Sequence, residues 1–288
     1  MNLKKIFVII IFCATLASSV WAEESETSET PPAASNAHSE QKIQGFNLQG
    51  YNDAGDKAWD VNGTTADFKG QEITLSNVDA NSYGEEKVNL TAEKGTINQT
   101  SGDMKLEKDV MITSERGMQM MTDSLNWNRK DDLVTTQDGV VITDKNMMVK
   151  GKGMKASPGL NSAEISQDVT ARVNTEPKKD NGRIVTITSD GPMMIDQVKL
   201  TATFDENVVA TQGDRMLKAD RMEVHFQPDM KGITDMICIG NVEITQGENK
   251  TYAEKATYES ATQKVTLSGR PKLIMETDKD NGIAAFTN

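Results

Sequence analysis

The feature that most limits what this chain can fold into is an alternation of apolar and polar residues with a period of two, repeated in many short runs. Val88, Leu90 and Ala92 fall on one face of an extended segment, and Met104 with Leu106, Val110 with Ile112, Val140 with Ile142, and Val169 with Ala171 and Val173 follow the same rule. The pattern continues in Ile184, Val185 and Ile187, in Met222, Val224 and Phe226, in Val242 with Ile244, and in Val265 with Leu267. Successive side chains of a strand point to opposite faces, so this alternation describes strands with one buried and one wet face. Gly, Asn, Asp and Ser separate the runs, and no window of useful length carries the helical period. The chain is predicted to be all-β.

Two short motifs recur within this pattern. An Ala-acid pair, read as opening a strand, stands at Ala66-Asp67, Ala92-Glu93, Ala219-Asp220 and Ala253-Glu254, with Thr122-Asp123 as a variant. A turn followed by Val stands at Asp109-Val110, Gly139-Val140, Asp168-Val169, Asn207-Val208 and Gly240-Asn241-Val242. Val110 to Val140 is 30 residues, Val140 to Val169 is 29 and Val208 to Val242 is 34. Each unit is therefore expected to supply two short strands of roughly 5–6 residues plus turns. A unit of that size cannot bury its apolar face alone and must stack on its neighbours.

The N-terminus carries an export signal. Met1–Lys5 holds two lysines and no acid, Ile6–Leu16 is almost unbrokenly apolar, and Val20-Trp21-Ala22 precedes Glu23, the predicted first residue after cleavage. The alternative is a retained anchor, because Ile6–Ala22 also reaches the lower limit of roughly 17 residues for crossing a bilayer. Residues 23–42 mix Pro, Ser, Thr and Glu without large apolar side chains until the end and read as a disordered tether. A second polar cluster, residues 175–182, reads as a linker between domains 43–174 and 183–288.

Composition closes off several functions. A formal net charge of −12 makes the chain a poor nucleic-acid binder. Beyond the signal only Cys238 remains, so no intramolecular disulfide is expected. His38 lies in the tether and His225 between Val224 and Phe226, where alternation turns it outward; with Cys238 isolated, there are too few partners for a zinc site or a Cys-His pair. No catalytic residue, metal or cofactor is assigned. A glycan-cleaving enzyme would need interior carboxylates, whereas Glu107 and Glu243 fall on the polar face. Sixteen methionines, many on strands, suit either a pliable apolar lining or ordinary core. A copper(I) site at Met118-Gln119-Met120-Met121 is disfavoured, since adjacent strand residues point apart.

Gly50-Tyr51-Asn52, Trp59-Asp60-Val61, Leu90-Thr91-Ala92-Glu93-Lys94-Gly95 and Met148–Met154 (MVKGKGM) make the first half of the chain resemble LptC, a periplasmic component of lipopolysaccharide export. Ala202–Gly213 (ATFDENVVATQG), Lys218–Met222 (KADRM) and Gly240–Thr245 (GNVEIT) make the second half similar to LptA, the soluble bridge protein of the same system. The resemblance implies two tandem twisted β-jellyroll modules, the second of them short and possible to complete with a partner's strand. It implies a non-catalytic bridge that holds the acyl chains of lipid A in an apolar groove and passes lipopolysaccharide from an inner-membrane ABC transporter toward the outer membrane. Other jellyroll bridge subunits or an outer-membrane translocon would join by edge-strand pairing. The groove candidates are Leu90, Met104, Leu106, Val110, Ile112, Val140, Ile142, Val169, Val208, Met222, Val224, Val242, Ile244, Val265 and Leu267. The alternative is a structural or adhesive β-repeat protein of the cell envelope.

Overall fold

The computed structural model describes residues 41–52, 54–84, 87–157, 161–174, 184–228, 232–262 and 264–275. The signal or anchor segment, nearly all of the tether and the 175–182 linker lie outside the described residues. The described chain is all-β, as its alternation predicts. Its strands are β1 (Gln41–Tyr51), β2 (Lys57–Lys69), β3 (Glu72–Tyr83), β4 (Lys87–Asn98), β5 (Met104–Ser114), β6 (Gln119–Asn128), β7 (Leu133–Asp144), β8 (Met147–Ser157) and β9 (Ser162–Asn174). They continue as β10 (Ile184–Ser189), β11 (Met193–Asp196), β12 (Thr201–Gln212), β13 (Arg215–Phe226), β14 (Ile233–Gln246), β15 (Asn249–Glu259), β16 (Lys264–Ser268) and β17 (Lys272–Ile274).

The chain divides into two compact units, residues 1–145 with 152–163, and residues 146–151 with 164–288. In the first unit β1 to β7 pair antiparallel, each with the next in sequence. Its buried face joins Phe46, Trp59, Val61, Leu90, Leu106, Ile112, Leu125, Trp127 and Val134 with their neighbours into one continuous apolar cluster. In the second unit β9 pairs with β10, β10 and β11 with β12, and β12 to β15 follow in sequence order. β16 and β17 then share the far side of β15. The interior of this unit includes Phe204, Val208, Met222, Val224, Cys238 and Val242.

The strands are longer than expected, and the reason lies in the recurrent motifs. Most run for 10 to 14 residues rather than 5 or 6. The turn-Val motif is not a turn between strands. It is a bend inside one strand. Lys108 and Asp109 (φ 65° and 50°), Asp168 (55°), Glu206 and Asn207 (67° and 51°), and Gly240 and Asn241 (78° and 45°) all take left-handed backbone conformations. The pairing register shifts between Glu107 and Val110, between Asp205 and Val208, and between Ile239 and Val242. An extra residue in one strand of a pair bends that strand and sharpens its twist. Asp and Asn tolerate the left-handed region better than other side chains with a Cβ, which is why they recur there. The following Val re-enters the interior each time, with Val110, Val169 and Val242 1% exposed and Val208 0%. Gly139-Val140 bends without a left-handed residue, through a register shift between Met121 and Asn126 of the neighbouring strand.

The Ala-acid pairs are also placed differently from the expectation of strand openings. Four of the five sit in mid-strand against a neighbour's bend; the exception is Ala66-Asp67 in β2, which pairs in regular register with Ile43 and Lys42 on one side and with Leu75 and Thr74 on the other. Thr91 pairs with Met111 and Lys94 with Glu107, so Ala92-Glu93 faces the bulge at Lys108-Asp109. Asp123 faces the same bulge from β6. Ala219-Asp220 faces the bends of both β12 and β14, and Glu254 faces that of β14 from β15. The Ala keeps the inner side of the bend small, while the acid caps its outer side: Asn241 Nδ2 donates to Asp220 Oδ2 at 2.9 Å, and Lys108 Nζ lies 3.5 Å from Glu93. The two motifs of the sequence are the two sides of one structural device. Aligned from strand to strand, these bends curl each unit around its apolar face.

Candidate apolar interior

Leu90, Met104, Leu106, Val110, Ile112 and Val140 are buried in the first unit and belong to its single apolar cluster, with Ile142 half-buried against it. In the second unit Val169, Val208, Met222, Val224 and Val242 are buried, and Ile244 and Leu267 are half-buried. Val265, on the terminal strand β16, is 51% exposed and does not line an interior. Val265 apart, alternation turned these residues inward: the bulged strands keep one parity through the bend, as in Met104, Leu106, Val110 and Ile112, while the neighbouring strand slips by one, with Thr122 and Leu125 both buried.

The methionines divide by face. Met104, Met118, Met120, Met154, Met193 and Met222 are buried, whereas Met111, Met121 and Met194 are exposed. Met111 and Met121 are register partners on the outer face. Met118 and Met120 are therefore on the opposite side of the sheet from Met121, the separation that alternation predicts.

At one end of the first unit a shallow, open concavity of about 350 Å³ is lined by Met104, Trp127 and Leu133 together with Thr96, Lys105, Asn126 and Thr135, a row of register partners on the outer face. Trp127 is 4% exposed and its indole Nε1 is buried with no hydrogen-bond partner. A buried donor left unmade costs about 1–3 kcal/mol, so an acceptor brought to this wall would gain an unusually favourable contact. Sequence reading passed over Trp127, because a Trp in strand phase looks like plain core.

Polar groups on the outer faces are mostly paired. Glu107 lies 2.6 Å from Lys105 and 3.4 Å from Lys94, and the hydrogen bond from Lys105 holds its carboxyl below the usual range. Asp60 is 4% exposed. Burial pushes its pKa upward, but the Lys57 ammonium, the Tyr83 hydroxyl at 2.7 Å and the Asn81 amide at 3.0 Å outweigh it and leave the carboxyl below its ordinary value. Nothing in its spacing distinguished Asp60 from a solvated strand residue. His225 is half-buried rather than simply outward: its Nε2 lies 2.8 Å from Glu223 and its Nδ1 2.7 Å from Asp235. The Glu223 hydrogen bond, with Asp235 against a smaller burial cost, raises the imidazole above 6.5. Cys238 is buried, and desolvation pushes its thiol up to about 12.

Residues 7–174 match the family model described as "Lipopolysaccharide-assembly, LptC-related", which spans more than half of the chain. The chain belongs to this LptC-related family. Residues 186–285 match a second model, "LptA/(LptD N-terminal domain) LPS transport protein". The tandem is therefore an LptC-like module followed by an LptA-like one. Among curated proteins, the LPS-assembly protein LptD of Vibrio cholerae serotype O1 is 31% identical over 114 residues, 39% of this chain and 14% of that protein's length. Among solved structures, LptH, the LptA-homologous periplasmic component of the lipopolysaccharide transport device from Pseudomonas aeruginosa, matches at 13% identity. That match covers 57% of this chain and 97% of the other, with a TM-score of 0.24. The two family matches place the chain among proteins of lipopolysaccharide assembly and transport.

Proposed function

We propose that this chain is a non-catalytic periplasmic bridge whose apolar interiors carry the acyl chains of lipid A. The observation that supports this most directly is the single continuous cluster of buried apolar side chains that runs across the strands of the first unit. Acyl chains need a water-excluding, non-directional surface, and each CH₂ taken from water contributes about 0.8 kcal/mol, so a dozen contribute roughly 10 kcal/mol. The interior is packed at Ile112 and Val134, both 0% exposed, so entering chains must displace side chains. Met104, Met118, Met120 and Met154 supply the unbranched, adaptable groups that make such displacement cheap. On this reading the energy comes from an inner-membrane ABC transporter, and neighbouring bridge or outer-membrane subunits add strands to the sheet edges. Apolar side chains exposed on terminal strands, Ile43 and Leu48 on β1 and Leu273 and Ile274 on β17, suit such pairing.

The test is photo-crosslinking in growing cells. Reactive side chains at Leu106 and Val224 should yield adducts with lipopolysaccharide, while one at the outward-facing Asp123 should not. Absence of adducts at several interior positions would sink the proposal.

A further inference from the structure

The outer face of β1 to β4 carries more than charge pairs of the kind seen in Lys94–Glu107–Lys105 and Lys218–Glu243–Lys250, although Lys57–Asp60 and Lys42–Asp67 pair here too. Here the pairing register sets Gln49, Asp60, Asn81 and Asn89 side by side in one row across four strands, with Asn47, Asn62 and Asp79 in the next row. Their side chains form a directed hydrogen-bonded array. The Tyr51 hydroxyl donates to Gln49 Oε1 at 3.1 Å, Gln49 Nε2 to Asn47 Oδ1 at 2.6 Å, and Asn47 Nδ2 to Asn62. From the other side Asn89 Nδ2 donates to Asn81 Oδ1 at 3.0 Å, Asn81 Nδ2 to Asp60 Oδ1 at 3.0 Å, and the Tyr83 hydroxyl to Asp60 Oδ2 at 2.7 Å.

We propose that this face is an oligosaccharide-binding site, selective for glycans with an anionic substituent. A carboxamide carries two donors and two acceptor lone pairs, and the array uses only part of that capacity. The remainder offers both donors and acceptors across the face, which is what neighbouring sugar hydroxyls need, since each both donates and accepts. The mutual bonds hold the amides in place before a ligand arrives, so little side-chain entropy is lost on binding. Tyr51, 62% exposed, offers an apolar ring with a polar tip to the C–H face of a sugar. Lys57 and Lys87 stand over the Tyr83 ring at 5.2 and 5.3 Å. Lys57 is held in an ion pair with Asp60, so Lys87 supplies the cation for a sugar phosphate or carboxylate. Stabilising the sheet would explain the inner part of the array, the Lys57–Asp60 pair included. It does not call for an exposed Tyr51 at one end or for Lys87 on the Tyr83 ring.

The site goes beyond the acyl-chain reading and does not depend on it. The same chemistry has two sources in an envelope, the glycan of lipopolysaccharide and that of the cell wall, and the experiment separates them. The full chain is titrated with the deacylated, phosphorylated core oligosaccharide of lipopolysaccharide and, separately, with a neutral β-1,4-linked N-acetylglucosamine oligomer. Saturation-transfer NMR reports contact and calorimetry the affinity. Binding of the phosphorylated core alone supports the site and its lipopolysaccharide source. Equal binding of the neutral oligomer overturns the anionic selectivity and, with it, the role given to Lys87. Gln49→Ala with Tyr51→Ala, at the exposed edge, and Asn81→Ala separately should each weaken binding roughly tenfold, the loss of about one or two hydrogen bonds. Circular dichroism would show that both variants remain folded. The proposal is overturned if neither glycan binds at about 10 mM, a concentration that detects millimolar affinity, or if both variants bind like the parent. Because the probes carry no acyl chains, either negative result leaves the crosslinking test untouched.

Discussion

The bend at Lys108-Asp109 offers a sharp test of how these strands are shaped. Asp109 sits at φ 50° beside Lys108 at φ 65°, so the bulge asks two consecutive residues with a Cβ to occupy left-handed space. That region costs an ordinary L-residue about 1–2 kcal/mol, less for Asp, and a β-branched side chain suffers most. Asp109→Val should therefore destabilise the first unit by about 1–2 kcal/mol. Asp109→Gly separates backbone strain from lost contacts. Glycine enters left-handed space freely but adds roughly 0.5–1 kcal/mol of unfolded-chain entropy, so the two effects nearly cancel and the variant should match the parent. Trp59 and Trp127 are both buried in this unit, and their fluorescence reports its unfolding in urea. At a slope of about 2 kcal/mol per molar urea, Asp109→Val should lower the midpoint by about 0.5–1 M. An unchanged midpoint in Asp109→Val would refute the strained-bend account. An equal fall in Asp109→Gly would show that side-chain contacts, not φ, carry the effect.

Other consequences are open to measurement. Ile112→Ala, at a 0% exposed position, should cost about 2–5 kcal/mol of stability, read as a lowered melting temperature; a loss under about 1 kcal/mol would mean that the interior is loosely filled. Cys238, with its thiol pushed up to about 12, should resist alkylation at pH 8 in the folded protein and react on unfolding, with peptide mapping to locate the label. For His225 the folded pKa is raised, so its contribution to stability is present in full below about pH 6.5 and is lost as pH rises through the folded value. NMR titration should place this imidazole above 6.5, and His225→Gln should remove that part of the pH dependence of melting; a His225 titrating at or below 6.5 would contradict the two-carboxylate geometry.

Fold class was legible because period-two alternation is a direct image of strand geometry, and Leu106, Ile112, Met222 and Val224 were phased correctly for the same reason. Strand length was not. An Asn or Asp before Val looks the same whether the chain turns back or only bends, and the difference lies in whether the neighbouring strand continues past it, as β4 and β6 continue past Asp109. A sixth bend, at Asn77 (φ 49°) before the buried Val78, carries the same Asn-Val signal, and Val78 lies 32 residues before Val110, within the spacing of the series. Asp60 and Trp127 were illegible for another reason. Their roles depend on partners brought from other strands, such as Tyr83 to Asp60, and no local pattern encodes those meetings.

The mid-strand bulges also bear on how such a chain tolerates change in length. In a straight strand an inserted residue inverts every side chain beyond it, exchanging core for solvent along the whole element. A bend that already holds a residue outside the regular ladder offers an inserted one a place to be absorbed, so that the inversion stops at the bend and stays within one arm. Each arm is thereby an independently registered segment. Length changes should be best tolerated next to Asp109, Asn207 and Asn241, which would let strand arms lengthen or shorten separately while the opposite arm keeps its facing.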